Sequence, residues 1–332
     1  MQRVIKIQGY ISILICSILL VDFLPKTEMI LPGKIAVVDN HTCFIYDNSY
    51  KNKISFVVKN DKKISYGGFR WINNCDSLIG IEYFETENSG TNKGNVVCFD
   101  LSGNIIQEVY EAQDGEITGD TYLSKNDDRL LFTTEKKGDI KLNPLEGLMR
   151  EQTLVIMDFH EKKIIKKIEN IGVSPSFELR ESPWLYDGER FIYSIRGDRK
   201  IVLEGNLKNP VQEDQPGLYV YNLSTDQKKL LIADAYFGIS SPNDLRVSYI
   251  KDQSIWIMDL KDNTSKIIYK GGLREKIGNI HWTPDGKYIY LIYFINYSVD
   301  YFESGEKLID INTGKEISFK KIGHGFVSYT WK

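Results

Sequence analysis

Ile280-His281-Trp282-Thr283-Pro284-Asp285-Gly286-Lys287-Tyr288-Ile289 is the stretch that decides the fold. Two apolar runs flank Pro-Asp-Gly. An Asp-Gly pair between such runs is a strong local signal for a β-hairpin, because glycine accepts the positive φ that a tight turn needs. The second strand continues through Tyr290-Leu291. A third, Lys307-Leu308-Ile309-Asp310-Ile311, closes on an acid and leads through Asn312-Thr313-Gly314 into a fourth, Ile317-Ser318-Phe319. This unit of four strands is a candidate repeat.

Reading outward from it, the strand that ends in an acid or amide recurs. The copies are Cys43 to Asp47, Val97 to Leu101, Val155 to Phe159, Tyr219 to Leu223, Trp256 to Leu260 and Lys307 to Ile311. The marker residue falls at Asp47, Asp100, Asp158, Asn222, Asp259 and Asp310, at intervals of 53, 58, 64, 37 and 51 residues. Weaker copies of the opening hairpin are Trp184-Leu185-Tyr186-Asp187-Gly188 and Ser241-Pro242-Asn243-Asp244. Six units of four antiparallel strands predict a six-bladed β-propeller. The first unit starts at its second strand, Ile35 to Val38, and the chain finishes with Val327 to Thr330, which matches Ile280 to Thr283. The last strand is therefore expected to pair in the N-terminal blade as its innermost strand and close the ring, which removes an exposed edge.

Composition agrees with an all-β chain. Of 332 residues, 20 are Tyr, 15 are Phe and only 9 are Pro, and aromatic residues favour strands. With 42% hydrophobic and 26% charged residues, the chain is not expected to be disordered. A formal net charge of -3 lacks the basic excess of a generic nucleic-acid binder, and no nucleic-acid partner is expected.

The run Trp282-Thr283-Pro284-Asp285-Gly286-Lys287-Tyr288-Ile289, followed by a strand ending in Asp, resembles the TolB-type propeller repeat. The propellers of prolyl-oligopeptidase-type enzymes are similar. The resemblance spreads over about residues 33–332, although Trp71-Ile72-Asn73-Asn74-Cys75-Asp76 lacks the Pro-Asp-Gly turn. It implies a structural unit, not an activity. TolB proper carries a further N-terminal domain, for which there is no room here between the apolar run and the first blade.

Residues 1–24 read as a signal peptide or an N-terminal membrane anchor. Arg3 and Lys6 precede an apolar run from Gly9 to Leu24, the order of a secretory signal. No A-x-A pattern follows, so cleaved and uncleaved forms stay open; a buried N-terminal strand is the alternative. Residues 25–33 are a linker and 34–332 the propeller. Basic residues before the run place the propeller outside the membrane, so it is expected to be membrane-anchored or secreted, and monomeric.

Catalytic motifs are sparse. There is no Gly-x-Ser-x-Gly elbow and no cofactor motif, and no cofactor is expected. Cys16, Cys43, Cys75 and Cys98 lack metal-ligand spacing. His281 on an innermost strand and His324 before the last one are weak candidates for a metal at the axis; no metal is assigned. A marker acid repeated in five blades is structural, capping the turn after its strand. Asp187 and Asp285 are read as turn residues.

Two long connections between second and third strands, Glu135 to Gln152 and Arg196 to Gly217, neighbour each other on one rim. They are either ordered recognition loops or disordered. They carry Lys141, Arg150, Arg196, Arg199 and Lys200, which are the candidate binding residues. The expected function is an exported, non-enzymatic scaffold that recognises a protein or cell-envelope polymer through these loops. Two alternatives are an extracellular polysaccharide lyase or hydrolase working at the central channel, with His281, and a cytoplasmic scaffold.

Overall fold

The computed structural model describes residue 29 and residues 34–39, 42–46, 53–57, 64–73, 75–85, 92–113, 115–141, 148–174, 177–180, 182–195, 215–296, 302–319 and 328–331. Strands account for nearly all of the regular structure, and they fall into four-stranded antiparallel sheets.

Strands β1 (Ile35–Asp39), β2 (Thr42–Tyr46) and β3 (Lys53–Val57) come first. Five blades of consecutive strands follow. The first holds β4 (Ile64–Ile72), β5 (Ser77–Glu85), β6 (Asn92–Asp100) and β7 (Ile105–Tyr110). Next come β8 (Glu116–Leu123), β9 (Arg129–Lys141), β10 (Leu148–Asp158) and β11 (Lys163–Ser174). The third is β12 (Phe177–Glu178), β13 (Arg190–Ile195), β14 (Gly217–Asn222) and β15 (Gln227–Ala233). The fourth is β16 (Tyr236–Ser240), β17 (Arg246–Lys251), β18 (Ser254–Asp259) and β19 (Thr264–Lys270). The fifth is β20 (Glu275–Trp282), β21 (Tyr288–Asn296), β22 (Phe302–Asp310) and β23 (Glu316–Ile317). The chain is thus an all-β propeller of four-stranded antiparallel blades.

Blades made of consecutive strands number five, one fewer than the six sequence repeats. The remaining sheet has the order β24-β1-β2-β3 and draws on both ends of the described chain, β24 being Ser328–Trp331. Val38 faces Ser328 and Ile35 faces Trp331 across it.

The hydrophobic core lies between blades. Leu130 and Phe132 face the preceding blade with Ile79, Val96 and Val109. Leu131, between them, faces the following blade with Tyr193 and Tyr219. In the same way Phe191 and Tyr193 point one way and Ile192 the other. A sheet covered on both faces needs apolar residues at consecutive positions, which is why the second strands read as unbroken apolar runs.

The marker residues do what their repetition suggested. The Asp310 carboxylate accepts from the Asn312 and Thr313 backbone N–H at 2.9 and 2.8 Å. Asp158 accepts from His160 and Glu161 N–H, Asn222 from Ser224 and Thr225, Asp100 from Ser102 and Asn104, and Asp259 from Lys261. Each is an Asx-type cap of the turn that follows. Asp47 lies outside the described residues.

The connection expected over 135–152 differs. Strands β9 and β10 continue into it, pairing Glu135 with Gln152 and Lys141 with Leu148. The Gln152 amide donates to Glu135 Oε1 at 2.8 Å, so the ladder extends past the blade body. Residues 1–24, read as signal or anchor, lie outside the described residues. Among the described residues no helix is long and apolar enough to cross a membrane.

Candidate ligand-binding site

The turns joining first to second strands share one construction. Thr283 N–H donates to the Tyr288 carbonyl, Leu185 to Arg190, Ser124 to Arg129 and Ser241 to Arg246, at 2.8 to 3.0 Å. The residue three places on closes the turn: Gly286 donates to Thr283, Gly188 to Leu185, Asp127 to Ser124 and Cys75 to Ile72. Gly286, Gly188 and Asp127 all take positive φ, at 65°, 67° and 58°, which explains the Asp-Gly preference.

This equivalence puts Asn73, Lys125, Tyr186, Pro242 and Pro284 at one repeat position. It is the first turn residue, whose side chain no hydrogen bond of the turn requires. All five line a single cavity of about 480 Å³. Asn126, Ser182, Trp184, Ser241, Asn243 and Trp282 contribute to the same cavity. It sits on the face of the first-to-second-strand turns. The second strands run toward the opposite face, where β9 continues to Lys141 and β10 begins at Leu148.

Its walls are braced between blades. Trp184 and Trp282 are buried, and their indole N–H groups donate to the carbonyls of Tyr122 and Ile239, both at 3.1 Å. Asn73 Nδ2 donates to Asp127 Oδ1 at 2.8 Å and to the Ser124 carbonyl at 3.3 Å. Asn243 Nδ2 donates to the Pro284 carbonyl at 3.3 Å. The Lys125 ammonium lies 3.7 Å from the centroid of Tyr186, a cation–π contact across two blades. Tyr186 keeps 48% of its surface exposed. A second cavity of about 210 Å³ adjoins at Lys125, Asn126 and Tyr186, and Asp128, Arg129, Asp158, Asp187 and Glu189 also line it. Arg129 pairs with Glu189 at 2.8 Å and holds that carboxyl below its ordinary range.

On or next to the first strands of three blades, charges pair. Arg70 meets Asp120 at 3.4 Å and Arg180 meets Glu178 at 3.3 Å. The Tyr122 hydroxyl donates to the Leu179 carbonyl at 3.2 Å. Burial pushes that phenol up, and the Asp120 charge adds to the effect. Arg180 stacks 3.8 Å from the Phe237 ring. Phe237 takes a positive φ of 55° in a bulge of β16, a strained conformation for a bulky residue.

Of the residues expected to bind, Lys141 and Arg150 stand on β9 and β10. Arg196, Arg199, Lys200 and His324 lie outside the described residues. His281 is on β20, half-buried, with its ring 6.1 Å from that of Tyr290; it does not line the larger cavity. Among the described residues no group of three or more His, Cys, Asp or Glu side chains could hold a metal. Asp187 and Asp285 are turn residues, accepting from the backbone of Glu189 and Lys287. The sequence reading missed the cavity because it treated the turns as packing. Aligning turn position by turn position would have exposed the Asn, Lys and Tyr that replace proline.

No protein-family model matches the chain, and no curated protein is similar to it. Solved structures are similar in fold. A puromycin-hydrolyzing peptidase of Mycobacterium tuberculosis superposes with a TM-score of 0.56 at 10% identity, over 88% of this chain and 45% of that one. One of two prolyl endopeptidases gives 0.53 at 12% identity, over 90% and 44%. A protein of Agrobacterium tumefaciens assigned as TolB gives 0.49 at 12% identity, over 86% and 87%. The chain spans less than half the length of these peptidases. At such identities the likeness concerns fold alone.

Proposed function

We propose that this chain is an exported, non-enzymatic binding scaffold: a six-bladed propeller that recognises a protein or polymer of the cell envelope at the mouth of its channel. One observation carries the reading. The same turn position in five blades converges on one cavity, and there the chain uses Asn73, Lys125 and Tyr186 where two blades keep proline. Pockets with aromatic walls and a few convergent polar groups are the usual form of a recognition site. A rigid scaffold that presents them on turns suits binding.

Closure of the ring by the C-terminal strand belongs to the same reading. It is supported by the pairing of β24 with β1 and by the bridge from Met29 to Phe319 of the last blade. Export is supported by Arg3, Lys6 and the apolar run after them.

The test is capture from solubilised envelope fractions by the purified chain. Capture should fail for Lys125→Ala/Tyr186→Ala and survive neutralisation of Lys141, Arg150, Arg196, Arg199 and Lys200. The reverse pattern would move recognition to the opposite rim, and no envelope capture by a folded chain would remove the reading. The pairs Arg70–Asp120 and Arg180–Glu178 favour one other reading, a polysaccharide lyase or hydrolase acting in the channel. It requires turnover of a glycan that Asp120→Asn or His281→Ala abolishes.

A further inference from the structure

We infer that the mouth cavity takes an uncharged saccharide, with a sugar ring laid on Tyr186 and its hydroxyls bonded to the surrounding amides and hydroxyls. The inference rests on the mouth being the recognition site and adds the chemical class of what it binds.

The lining sets the class. Among the described residues no carboxylate lines the cavity itself, which leaves a cationic ligand there without a counter-charge. Among the described lining residues Lys125 is the one cation, and it lies over the Tyr186 ring. An anion would find a single ammonium and, among the described lining residues, no arginine fork, the group best shaped for carboxylate or phosphate. A wholly apolar ligand would leave the Asn73 and Asn243 amide oxygens and the Ser182 hydroxyl of the lining facing it without a donor or acceptor, and burying polar groups without partners is unfavourable. What remains is a ligand that is neutral, donates and accepts hydrogen bonds all round its edge, and has an apolar face. A pyranose ring fits that description.

The geometry of the partners agrees. The two N–H groups of Asn73 are held by Asp127 and Ser124, so this side chain offers a ligand its acceptor oxygen. Sugar hydroxyls are the donors such an oxygen needs. Lys125 is the matching donor for a ring or hydroxyl oxygen. Tyr186 is half-exposed and supplies a flat apolar face of the kind that C–H groups of a sugar cover. The braced indoles of Trp184 and Trp282 fix the floor, so little ordering is needed on binding. A volume of about 480 Å³ lies within the range of small-molecule pockets and has room for more than one sugar ring.

The experiment is titration calorimetry on the full-length chain. The probes are neutral hexasaccharides of glucose and of N-acetylglucosamine, an oligogalacturonate as the anionic control and a chitosan oligomer as the cationic one. A neutral oligomer should saturate the chain and bind more tightly than either control. Tyr186→Ala should weaken it by about tenfold or more, the scale expected for one aromatic contact, while Tyr186→Phe holds within about threefold. Unchanged thermal unfolding of both variants, at an exposed turn position, shows that the fold survives. The inference is overturned if no neutral oligomer binds, if Tyr186→Ala binds as wild type, or if the oligogalacturonate binds best. Should the saccharides fail while envelope capture still depends on Lys125 and Tyr186, the ligand class falls and the mouth stands. Should both fail, the mouth falls as well.

Discussion

Gly238→Ala tests how the innermost strands are fitted to their neighbours. Gly238 is buried in the bulge of β16, where the register moves between Tyr236 and Ile239. A methyl group there would lie 2.2 Å from Leu218 Cδ1 and 3.3 Å from Ile192 Cδ1, both on the preceding blade. Carbon atoms rest at about 3.5–4.0 Å, so the blades must part by more than about 1 Å or Leu218 must leave its rotamer. Leu218 is fully buried, and Val247 and Tyr249 belong to the same cluster. Gly238 does not have a positive φ, so the penalty is steric alone. Overpacking of this kind costs about 1–3 kcal/mol, and we expect about 2 kcal/mol here. Urea unfolding followed by tryptophan fluorescence reads it as a lower midpoint at unchanged slope. The mechanism has its own signature. Leu218→Ala alone should cost about 2–5 kcal/mol, but the double variant should lose about 1–2 kcal/mol less than the sum, because the deleted side chain makes room for the methyl. A Gly238→Ala chain within about 0.5 kcal/mol of wild type, or strict additivity, would refute the interblade fit.

Four further outcomes follow from the same structure. Asp310→Ala removes the acceptor of two turn N–H groups and of the Thr313 hydroxyl; a loss of about 1 kcal/mol is expected, and Asp310→Asn should be near neutral because Asn222 fills the same place. The hydrogen bonds of Asn104 to Asp100 and of Thr313 to Asp310 hold both carboxyls below their ordinary values, so their contribution is present above about pH 4 and lost as pH falls through the depressed values, which acid titration of the unfolding midpoint measures. Burial pushes the Cys43 and Cys98 thiols up to about 12 while Cys75 is exposed; in a Cys16→Ser chain, maleimide at neutral pH should label Cys75 alone until denaturant is added, and mass spectrometry showing early labelling of Cys98 would contradict the core assignment. Glu116 is buried and accepts from the Tyr110 hydroxyl and the Gln113 N–H at 3.0 and 2.9 Å; Glu116→Ala should destabilise by about 1–3 kcal/mol in the same unfolding assay.

The propeller was legible because its repeat leaves marks that chemistry demands in each blade. A turn at the end of the third strand needs an Asx cap, and the chain supplies Asp or Asn at each described place. The hairpin before the second strand needs a positive φ, hence Gly188 and Gly286. Interblade cores demand apolar residues on both faces of the second strands, hence runs such as Leu130-Leu131-Phe132. Register was not legible. The bulges at Gly68, Gly119, Gly238 and Gly278 depend on which side chain of the neighbouring strand or blade presses on the backbone. Nor could spacing show that β9 and β10 run on to Lys141 and Leu148, since polar residues at 135–141 also read as loop. The mouth was hidden for a different reason. Asn73, Lys125 and Tyr186 are unrelated in type and far apart in the chain, and only their common place in the turn brings them together.

Hydroxyl-radical footprinting of the chain with its captured envelope partner tests the account most directly. The account predicts protection of Tyr186 and Pro242 and of the turns carrying Asn73, Lys125 and Asn243, with the blade edges at Ile106 and Ile165 labelled as in the free chain. Protection confined to the opposite rim, with Tyr186 fully labelled in the complex, would contradict it.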